Sequence, residues 1–216
     1  MNYVLYYAPG TASMAVHWML LELDVPFEAR LVDFERQAQR DPEYLRLNPS
    51  GRVPTLIVED TAVAESAAIL MLLAERHPDQ SLAPRVDEPG RAAWLSMMIY
   101  LANTLLPAMR DWFYADIDGA PQGAEAVRAL AQSRIEAAWA RLEGEFADGR
   151  TFLGGDHLQT TDFLAVMLMR WSRNMPRPAT RWPGLAAYAQ RLTQRPAWLE
   201  LNRREALSDW PPEQTV

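Results

Sequence analysis

Two short segments of this chain carry residue types that together could bind a small peptide. In Val53-Pro54 a proline stands at the mouth of a short predicted strand. Because proline cannot donate to a β-ladder, this position suggests a special turn, for which a cis peptide is one option. Such a turn leaves the backbone N–H and C=O of Val53 free to pair with an extended peptide. In Glu65-Ser66 an acidic and a hydroxyl residue precede a predicted helix, where they would meet the charged end of that peptide.

A loop near the N-terminus carries hydroxyl groups just before another predicted helix. Tyr7, Thr11 and Ser13 surround Pro9-Gly10, and a hydroxyl together with free N–H groups at a helix start can stabilise an anion such as a thiolate. Lowering a thiol pKa by about two units requires about 2.7 kcal/mol, which a charge-assisted hydrogen bond and a helix dipole can approach. The alternative is simpler: Thr11 or Ser13 caps the helix, Tyr7 is a core strand residue, and Glu65 and Ser66 only cap the later helix.

The composition excludes several classes of function. A hydrophobic content of 49% in 216 residues is enough for one large or two small folded domains, and a net charge of −7 argues against binding to nucleic acid. The absence of cysteine rules out disulfides, thiolate metal sites and a cysteine nucleophile, so any sulfur chemistry must come from a ligand. The histidines His17, His77 and His157 lack metal-ligand spacing. No metal site is predicted, and no histidine is assigned a role.

The chain also lacks the pattern of a signal peptide or an uninterrupted membrane span. Its N-terminus has neither a basic region nor a long apolar region, and apolar runs such as Ala67 to Ala74 are too short to cross a bilayer. We therefore expect a cytoplasmic protein without a membrane partner.

The first half of the chain reads βαβ–α–ββα. Along it, short segments with the alternation or branched side chains of strands are separated by segments with helical spacing. The predicted strands are Tyr3 to Tyr7, Phe27 to Val32, Thr55 to Val58 and Thr61 to Val63, and the predicted helices are Ser13 to Leu23, Asp41 to Leu47 and Glu65 to Arg76. A helix between the first two strands favours a parallel pair, and Glu59-Asp60 favours a hairpin between the last two.

The second half is predicted to be all helical. A segment rich in Pro, Asp and Ser, residues 79–89, separates a domain at 1–78 from one at 90–216. Helical spacing then recurs at Gly90 to Tyr114, Ala124 to Phe146, Thr160 to Arg173 and Pro183 to Arg195. The aromatic residues Trp112, Phe113 and Tyr114 are candidates for lining an apolar pocket.

The order of these parts resembles a cytosolic glutathione transferase over nearly the whole chain. The residues that carry the resemblance are Asn48-Pro49-Ser50-Gly51-Arg52-Val53-Pro54 and Glu65-Ser66-Ala67-Ala68-Ile69. Later segments fit as well, namely Phe152-Leu153-Gly154-Gly155-Asp156, Thr161-Asp162 and Trp182-Pro183 through Arg195-Pro196-Ala197-Trp198.

The resemblance implies a fold, a ligand and a set of contacts. It implies an α/β thioredoxin-like N-terminal domain, an α-helical C-terminal bundle that contributes the pocket for a hydrophobic substrate, a homodimer, and glutathione as co-substrate with no further cofactor. The backbone of Val53, beside a cis Pro54, would pair with the cysteinyl part of glutathione. Glu65 and Ser66 would contact the γ-glutamyl part, and Arg52 would be a neighbouring polar contact.

Two of the departures of this chain from its relatives concern the chemistry of the site. The loop Ala8 to Met14 is similar to that of the bacterial beta class, which carries a cysteine where this chain has Ala12, so mixed-disulfide chemistry through a protein thiol is excluded. The helix through Leu101 to Leu106 lacks the acidic residue and histidine of relatives, which leaves Asn103 as the polar residue for the second-substrate pocket, together with Trp112.

The predicted function is a glutathione transferase involved in detoxification. A hydroxyl of Thr11 or Ser13, ranked ahead of Tyr7, would stabilise the glutathione thiolate, which attacks a hydrophobic electrophile. Two alternatives remain open. One is glutathione-dependent reduction of peroxides or disulfides, and the other is a transferase-like binding module without activity.

Overall fold

The computed structural model describes residues 3–118 and 121–211. Its contacts group the chain into two units, the first formed by Met1–Ala83 with Thr193–Asp209 and the second by Pro84–Leu192 with Trp210–Val216. For residues 1, 2, 119, 120 and 212–216 the predicted domain assignments lie outside the described residues.

The first unit contains a four-stranded mixed sheet. Its strands are β1 (Tyr3–Tyr7), β2 (Phe27–Leu31), β3 (Thr55–Val58) and β4 (Thr61–Ala64). Their order is β2-β1-β3-β4, with β1 parallel to β2 and antiparallel to β3, and with β3 and β4 forming the hairpin. The predicted parallel βαβ unit, the hairpin and the thioredoxin-like fold are therefore confirmed.

Three helices of this unit follow the predicted apolar patterns. They are α1 (Met14–Glu22), α2 (Pro42–Leu47) and α3 (Ser66–Arg76). Met14 and Trp18 of α1, and Ile69 and Leu73 of α3, are fully buried, as is Leu5 of the central strand β1. Burial of these apolar side chains is the main driving force for their packing, at about 1.5–3 kcal/mol each. Ser13 is the N-cap of α1, but its side chain does not cap the helix.

A fourth helix, α9 (Pro196–Glu205), also belongs to the first unit although it lies almost 200 residues beyond β1. Trp198 packs edge-to-face on Trp18 of α1 with ring centroids 4.9 Å apart, and Arg195 forms an ion pair with Glu22 at the end of α1. The predicted boundary places these residues in the helical domain at 90–216. The grouping of contacts places α9 in the first unit, because Trp18 and Trp198, far apart in sequence, join α9 to α1.

The second unit is a helical bundle. Its helices are α4 (Arg91–Tyr100), α5 (Leu106–Tyr114), α6 (Ala124–Glu145), α7 (Thr160–Trp171) and α8 (Pro183–Thr193). Every residue of α7 from Thr160 to Arg170 is buried. The carboxylate of Asp162, in the first turn of α7, accepts hydrogen bonds from the N–H of Gln159 at 2.7 Å, the N–H of Leu153 at 3.0 Å and the hydroxyl of Tyr188 at 2.6 Å. The predicted α-helical domain is confirmed.

The helices α4 and α5 are continuous through a π-helical turn at Leu101–Leu105. In this turn the N–H of Leu106 donates to the carbonyl of Leu101, five residues back, as in a π-helix. The next residue, Pro107, has no N–H and so makes no helical hydrogen bond to residue 103. By length and composition alone the helix Arg91–Tyr114 could cross a membrane, although it contains no long uninterrupted run of apolar residues. In the structure Trp94, Met98 and Leu105 of this helix are buried in the protein.

Candidate glutathione site

The turn before β3 is stabilised by polar side chains that donate hydrogen bonds to the carbonyl of Arg52. The hydroxyl of Tyr44 and the side-chain amide of Asn48 both donate to the C=O of Arg52, at 2.5 Å and 2.8 Å. Thr55, the first residue of β3, bonds to the same hydroxyl at 2.9 Å and to the same amide at 3.1 Å. Burial raises the pKa of the Tyr44 phenol above its usual value, so the phenol stays a donor at neutral pH. The carbonyl before Val53 is thus fixed from both α2 and β3.

Val53 presents an unpaired stretch of backbone at this turn. The Val53–Pro54 peptide is cis, as the resemblance implies. Within the described residues, neither the N–H nor the C=O of Val53 makes a hydrogen bond. Gly51 makes the turn with a φ of +61°, and a Cβ there would stand 2.9 Å from the carbonyl oxygen of Gln39. Arg52, beside Val53, is exposed.

The start of α3 offers a charged group and a helix N-terminus together. Glu65, the N-cap, has φ +70° and ψ 115°, a backbone conformation that costs a residue with a Cβ about 1–3 kcal/mol and that concentrates at functional sites. Its side chain is exposed and makes no ion pair or hydrogen bond in the part of the chain that the structure describes. Ser66 follows as the first helical residue, where backbone N–H groups have no partner inside the helix. A carboxylate ligand would be stabilised by these N–H groups and by the helix dipole.

The loop Ala8 to Ser13 holds its two hydroxyl groups close together. The hydroxyl of Thr11 donates to the C=O of Ala8 at 2.7 Å and lies 2.9 Å from the hydroxyl of Ser13. Ser13 is fully buried. Its hydroxyl accepts a hydrogen bond from the N–H of Ala8 at 3.2 Å and can donate one to the C=O of Ala8 at 3.1 Å. Thr11 is partly exposed. Among residues 3–118 and 121–211, the backbone N–H of Ala12 has no acceptor.

Tyr7 lies at the other end of this loop, as the last residue of β1. Its ring contacts His17 edge-on, with centroids 5.1 Å apart, and its side chain is partly buried. Its hydroxyl makes no hydrogen bond to any other described residue. Within the described residues, two donors near the start of α1 have no acceptor, the hydroxyl of Tyr7 and the N–H of Ala12. The hydroxyl of Thr11 is a third candidate because it shares the carbonyl of Ala8 with Ser13.

One hydrogen bond joins the two helix starts of the site. The hydroxyl of Ser66 donates to the C=O of Ala12 at 2.9 Å. The structure therefore brings together the loop with Thr11 and Ser13 and the α3 start with Glu65 and Ser66, all within the first unit. An anionic group bound at α3 and a thiol directed at α1 would both face a helix N-terminus.

The residues predicted for a second substrate lie in the second unit. Asn103 is exposed within the π-helical turn, and Trp112 is partly buried in α5. Neither is tested by the geometry of the first unit, so both stay predictions. In the described ranges no group of three or more His, Asp or Glu side chains is arranged to bind a metal ion.

A buried His–Glu pair beside the first loop was not predicted from the sequence. Glu205, at the end of α9, accepts from His17 Nδ1 at 2.8 Å and from the N–H of Gly10 at 2.9 Å. Its side chain is 0% exposed and that of His17 is 1% exposed. The available signal was Pro196, a residue favoured at the first position of a helix, followed by Trp198 and Leu201 at helical spacing. That pattern predicts α9 but not its partner.

Family models match both halves of the chain. The model described as glutathione S-transferase, N-terminal domain, matches residues 1–75, and that described as glutathione S-transferase, C-terminal domain, matches residues 125–191. A relative named glutathione S-transferase GST-4.5, from Xanthomonas campestris, is 29% identical over 192 residues, which are 87% of this chain and 91% of the relative.

Solved structures extend the likeness to nearly the whole fold. A glutathione S-transferase from a sphingomonad, complexed with glutathione, is 30% identical, with a TM-score of 0.83 over 95% of this chain and 100% of its own. A glutathione transferase homologue from Sulfitobacter, with bound glutathione, is 27% identical, with a TM-score of 0.86 over 95% of this chain and 99% of its own.

Proposed function

The chain belongs to the glutathione transferase family and is a glutathione transferase, and on that premise we propose where glutathione binds and how its thiol is activated. The tripeptide lies along Val53, with its γ-glutamyl end at Glu65 and Ser66 and its thiol directed at the start of α1. Arg52 is the neighbouring polar contact. The observation that carries this placement is the unpaired backbone of Val53 in the same unit as the two helix starts joined by Ser66.

The side-chain chemistry at α3 suits the γ-glutamyl group, which carries both an amine and a carboxylate. The unpaired carboxylate of Glu65 would accept from the amine, and the first-turn N–H groups of α3 would donate to the carboxylate. The backbone of Glu65 supports this role, because a residue with a Cβ at φ +70° is strained and such strain concentrates at functional sites.

Thiolate stabilisation follows from the hydroxyl arrangement of the loop. A hydroxyl carries one proton, and both Thr11 and Ser13 lie within reach of the C=O of Ala8. When Ser13 donates to that carbonyl, the hydroxyl of Thr11 is released to donate to a thiolate, and the N–H of Ala12 provides a second donor. Ser13 then acts from a buried position through Thr11, and Tyr7 ranks behind both.

The chemical step is nucleophilic substitution or addition by sulfur. The thiolate uses a lone pair to form a bond to an electrophilic carbon, and in substitution the leaving group departs with the electrons of its bond. Holding both substrates together lowers the barrier further. The electrophile is proposed to be hydrophobic and to contact Asn103 and Trp112, in a detoxification reaction in the cytoplasm.

A homodimer is also proposed. The second unit exposes several large apolar side chains, among them Ile99 at 49%, Ile117 at 71% and Leu130 at 54% exposed. Exposed apolar side chains mark a surface that binds other proteins when they form one contiguous patch. Sedimentation equilibrium would give twice the chain mass for a dimer and a single chain mass otherwise.

Calorimetry with reduced glutathione tests the placement of the tripeptide. We expect saturable binding to the wild-type chain and binding weakened by about tenfold in Glu65→Gln, which removes a charge-assisted contact. Glu59→Gln is the matched control, since Glu59 is also an exposed glutamate with positive φ, in the β3–β4 turn. Absence of binding by well-folded wild-type protein at millimolar glutathione would contradict the placement.

Turnover measurements separate the possible reactions. An aryl halide, an organic peroxide and a mixed disulfide, each assayed with glutathione on one preparation, report conjugation and the two reductions independently. We expect conjugation to be the fastest, because the chain has no cysteine to form a mixed disulfide with glutathione. Binding without turnover of any of the three would favour the binding-module alternative.

A further inference from the structure

The carboxylate of Glu205 is buried in the first unit at a cost that requires an explanation. Its side chain is fully buried, and moving a carboxylate out of water costs several kcal/mol unless it is well paired. Attachment of α9 does not need it, because the Trp18–Trp198 contact and the Arg195–Glu22 ion pair already join α9 to α1. What Glu205 adds is a contact to the loop.

Each carboxylate oxygen of Glu205 has one partner. Oε1 accepts from Nδ1 of His17 in α1, whose ring is held between Tyr7 and Phe27 at centroid distances of 5.1 Å and 5.5 Å. Oε2 accepts from the backbone N–H of Gly10. The histidine therefore orients the carboxylate, and the carboxylate holds the loop.

Gly10 is the residue at which this loop turns. It has φ +70°, and Thr11 and Ala12, the proposed thiolate donors, follow directly. On the same side of the loop, Leu207 Cδ2 lies 3.6 Å from the position that a Cβ of Gly10 would occupy. The segment that ends α9 thus holds the turn by a hydrogen bond, and Leu207 lies beside the space that a side chain at position 10 would occupy.

We propose that Glu205, oriented by His17, is a positioning residue for glutathione: it fixes Gly10 and so sets the place of the Thr11 hydroxyl and the Ala12 N–H. The inference rests on the proposed function, because these two donors matter only if a thiol is bound at α1. Glu205 itself touches neither substrate. Its removal lets the loop move, which weakens thiolate stabilisation and glutathione binding without affecting the electrophile.

Two variants at position 205 and one control variant at position 200 test this role. Glu205→Met keeps the length of the side chain and loses both acceptors. Glu205→Gln keeps an acceptor for the N–H of Gly10 and can donate to Nδ1 of His17 in its other tautomer. Glu200→Met, in the same helix, removes a carboxylate that is 33% exposed and whose ion pairs within the described residues are to Arg203 and Arg204, and it serves as the control.

We expect Glu205→Met to raise the KM for glutathione by about tenfold and to raise the pKa of the bound thiol, measured from thiolate absorbance, while the KM for the electrophile is unchanged. Glu205→Gln should restore both values to within about twofold of wild type, and Glu200→Met should leave them unchanged. If folded Glu205→Met keeps the wild-type KM and thiol pKa, the proposal is wrong and Glu205 is only structural.

A second measurement does not depend on turnover. With ¹⁵N-glycine labelling, ten glycine amides are visible, and the amide of Gly10 should exchange slowly in wild type and faster in Glu205→Met. If Glu205→Met does not fold, Glu205→Asp, one methylene shorter, replaces it with the same expectation. Rapid exchange of Gly10 in the wild type would overturn the inference. Failure of wild type to bind glutathione, with Gly10 protected, would instead remove the proposed function on which the inference rests.

Discussion

The hydroxyl of Ser66 donates to the carbonyl of Ala12 across 2.9 Å, and so ties the start of α3 to the start of α1. The two positions lie 54 residues apart. In the proposed complex this bond sets the spacing between the group that holds the γ-glutamyl end and the group that meets the thiol. In that proposed complex the same serine is both a ligand contact and a link between two helices.

Ser66→Ala should therefore affect binding and stability together. Ser66 is buried, and loss of its hydrogen bond is expected to lower the free energy of unfolding by about 1 kcal/mol. The KM for glutathione should rise by about five- to tenfold as the two helix starts lose their link. Denaturant unfolding and initial rates check the two effects. Ser133→Ala, on the exposed face of α6, is the control, and equal behaviour of the two variants would contradict the role of Ser66.

The two loop hydroxyls should separate in their effects. Thr11→Ala removes the partly exposed donor and should lower aryl halide turnover by about tenfold with little loss of stability. Ser13→Ala leaves the buried N–H of Ala8 without its acceptor and should lower the free energy of unfolding by about 1–2 kcal/mol. Tyr7→Phe, which removes the lower-ranked hydroxyl, should change turnover by less than about threefold. A large loss in Tyr7→Phe with none in the other two would reverse the assignment.

Tyr44→Phe tests the support behind Val53. The variant removes the 2.5 Å bond to the carbonyl of Arg52 while Asn48 still donates to it. We expect the KM for glutathione to rise by about threefold to tenfold and the free energy of unfolding to fall by about 1 kcal/mol. Tyr100→Phe, in α4 of the second unit, is a matched control. An unchanged KM in a folded Tyr44→Phe protein would show that Asn48 alone fixes the turn.

Stability should decrease with pH above about 10, the ordinary pKa of tyrosine. Burial, and next the nearby Asp162, raise the pKa of Tyr188 well above that value. In this range the unfolded chain loses the phenolic proton and the folded chain keeps it, so the free energy of unfolding falls as pH rises. Tyr188→Phe should reduce this slope, while Tyr114→Phe, an exposed tyrosine, is the control. Urea denaturation between neutral pH and about pH 11 measures both, and equal slopes would contradict the assignment.

Local patterns predict most of the elements in the first unit because each is specified by residues close in sequence. The strand at Tyr3–Tyr7 and the hairpin strand at Thr55–Val58 have the predicted bounds. The helix α1 is one residue shorter than predicted at each end, and α3 is one residue shorter at its start. The position of Pro54 suggests a special turn with a cis peptide as one option, and the resemblance implies that cis peptide. The hydrogen bond between Ser66 and the first loop does not follow from periodicity.

What the sequence does not reveal depends on contacts over long distances. Nothing near Ser13 indicates that its hydroxyl is fully buried against Ala8 rather than capping α1. The place of α9 depends on Trp18 and Trp198 meeting across 180 positions of sequence. For the same reason a glutamate at position 205, by type an exposed residue, is not expected beside Gly10.

The hydrogen bond between Gly10 and Glu205 spans 195 positions of sequence, so the ribosome makes the loop long before it makes the carboxylate that binds it. At about 5–20 residues per second, roughly 10–40 s pass between translation of the loop and translation of the carboxylate that holds it. During that interval the residues of the sheet and of the proposed glutathione site have been translated, but Gly10 still lacks its hydrogen bond to Glu205. With the positioning role proposed for Glu205, full activity requires the translation of α9.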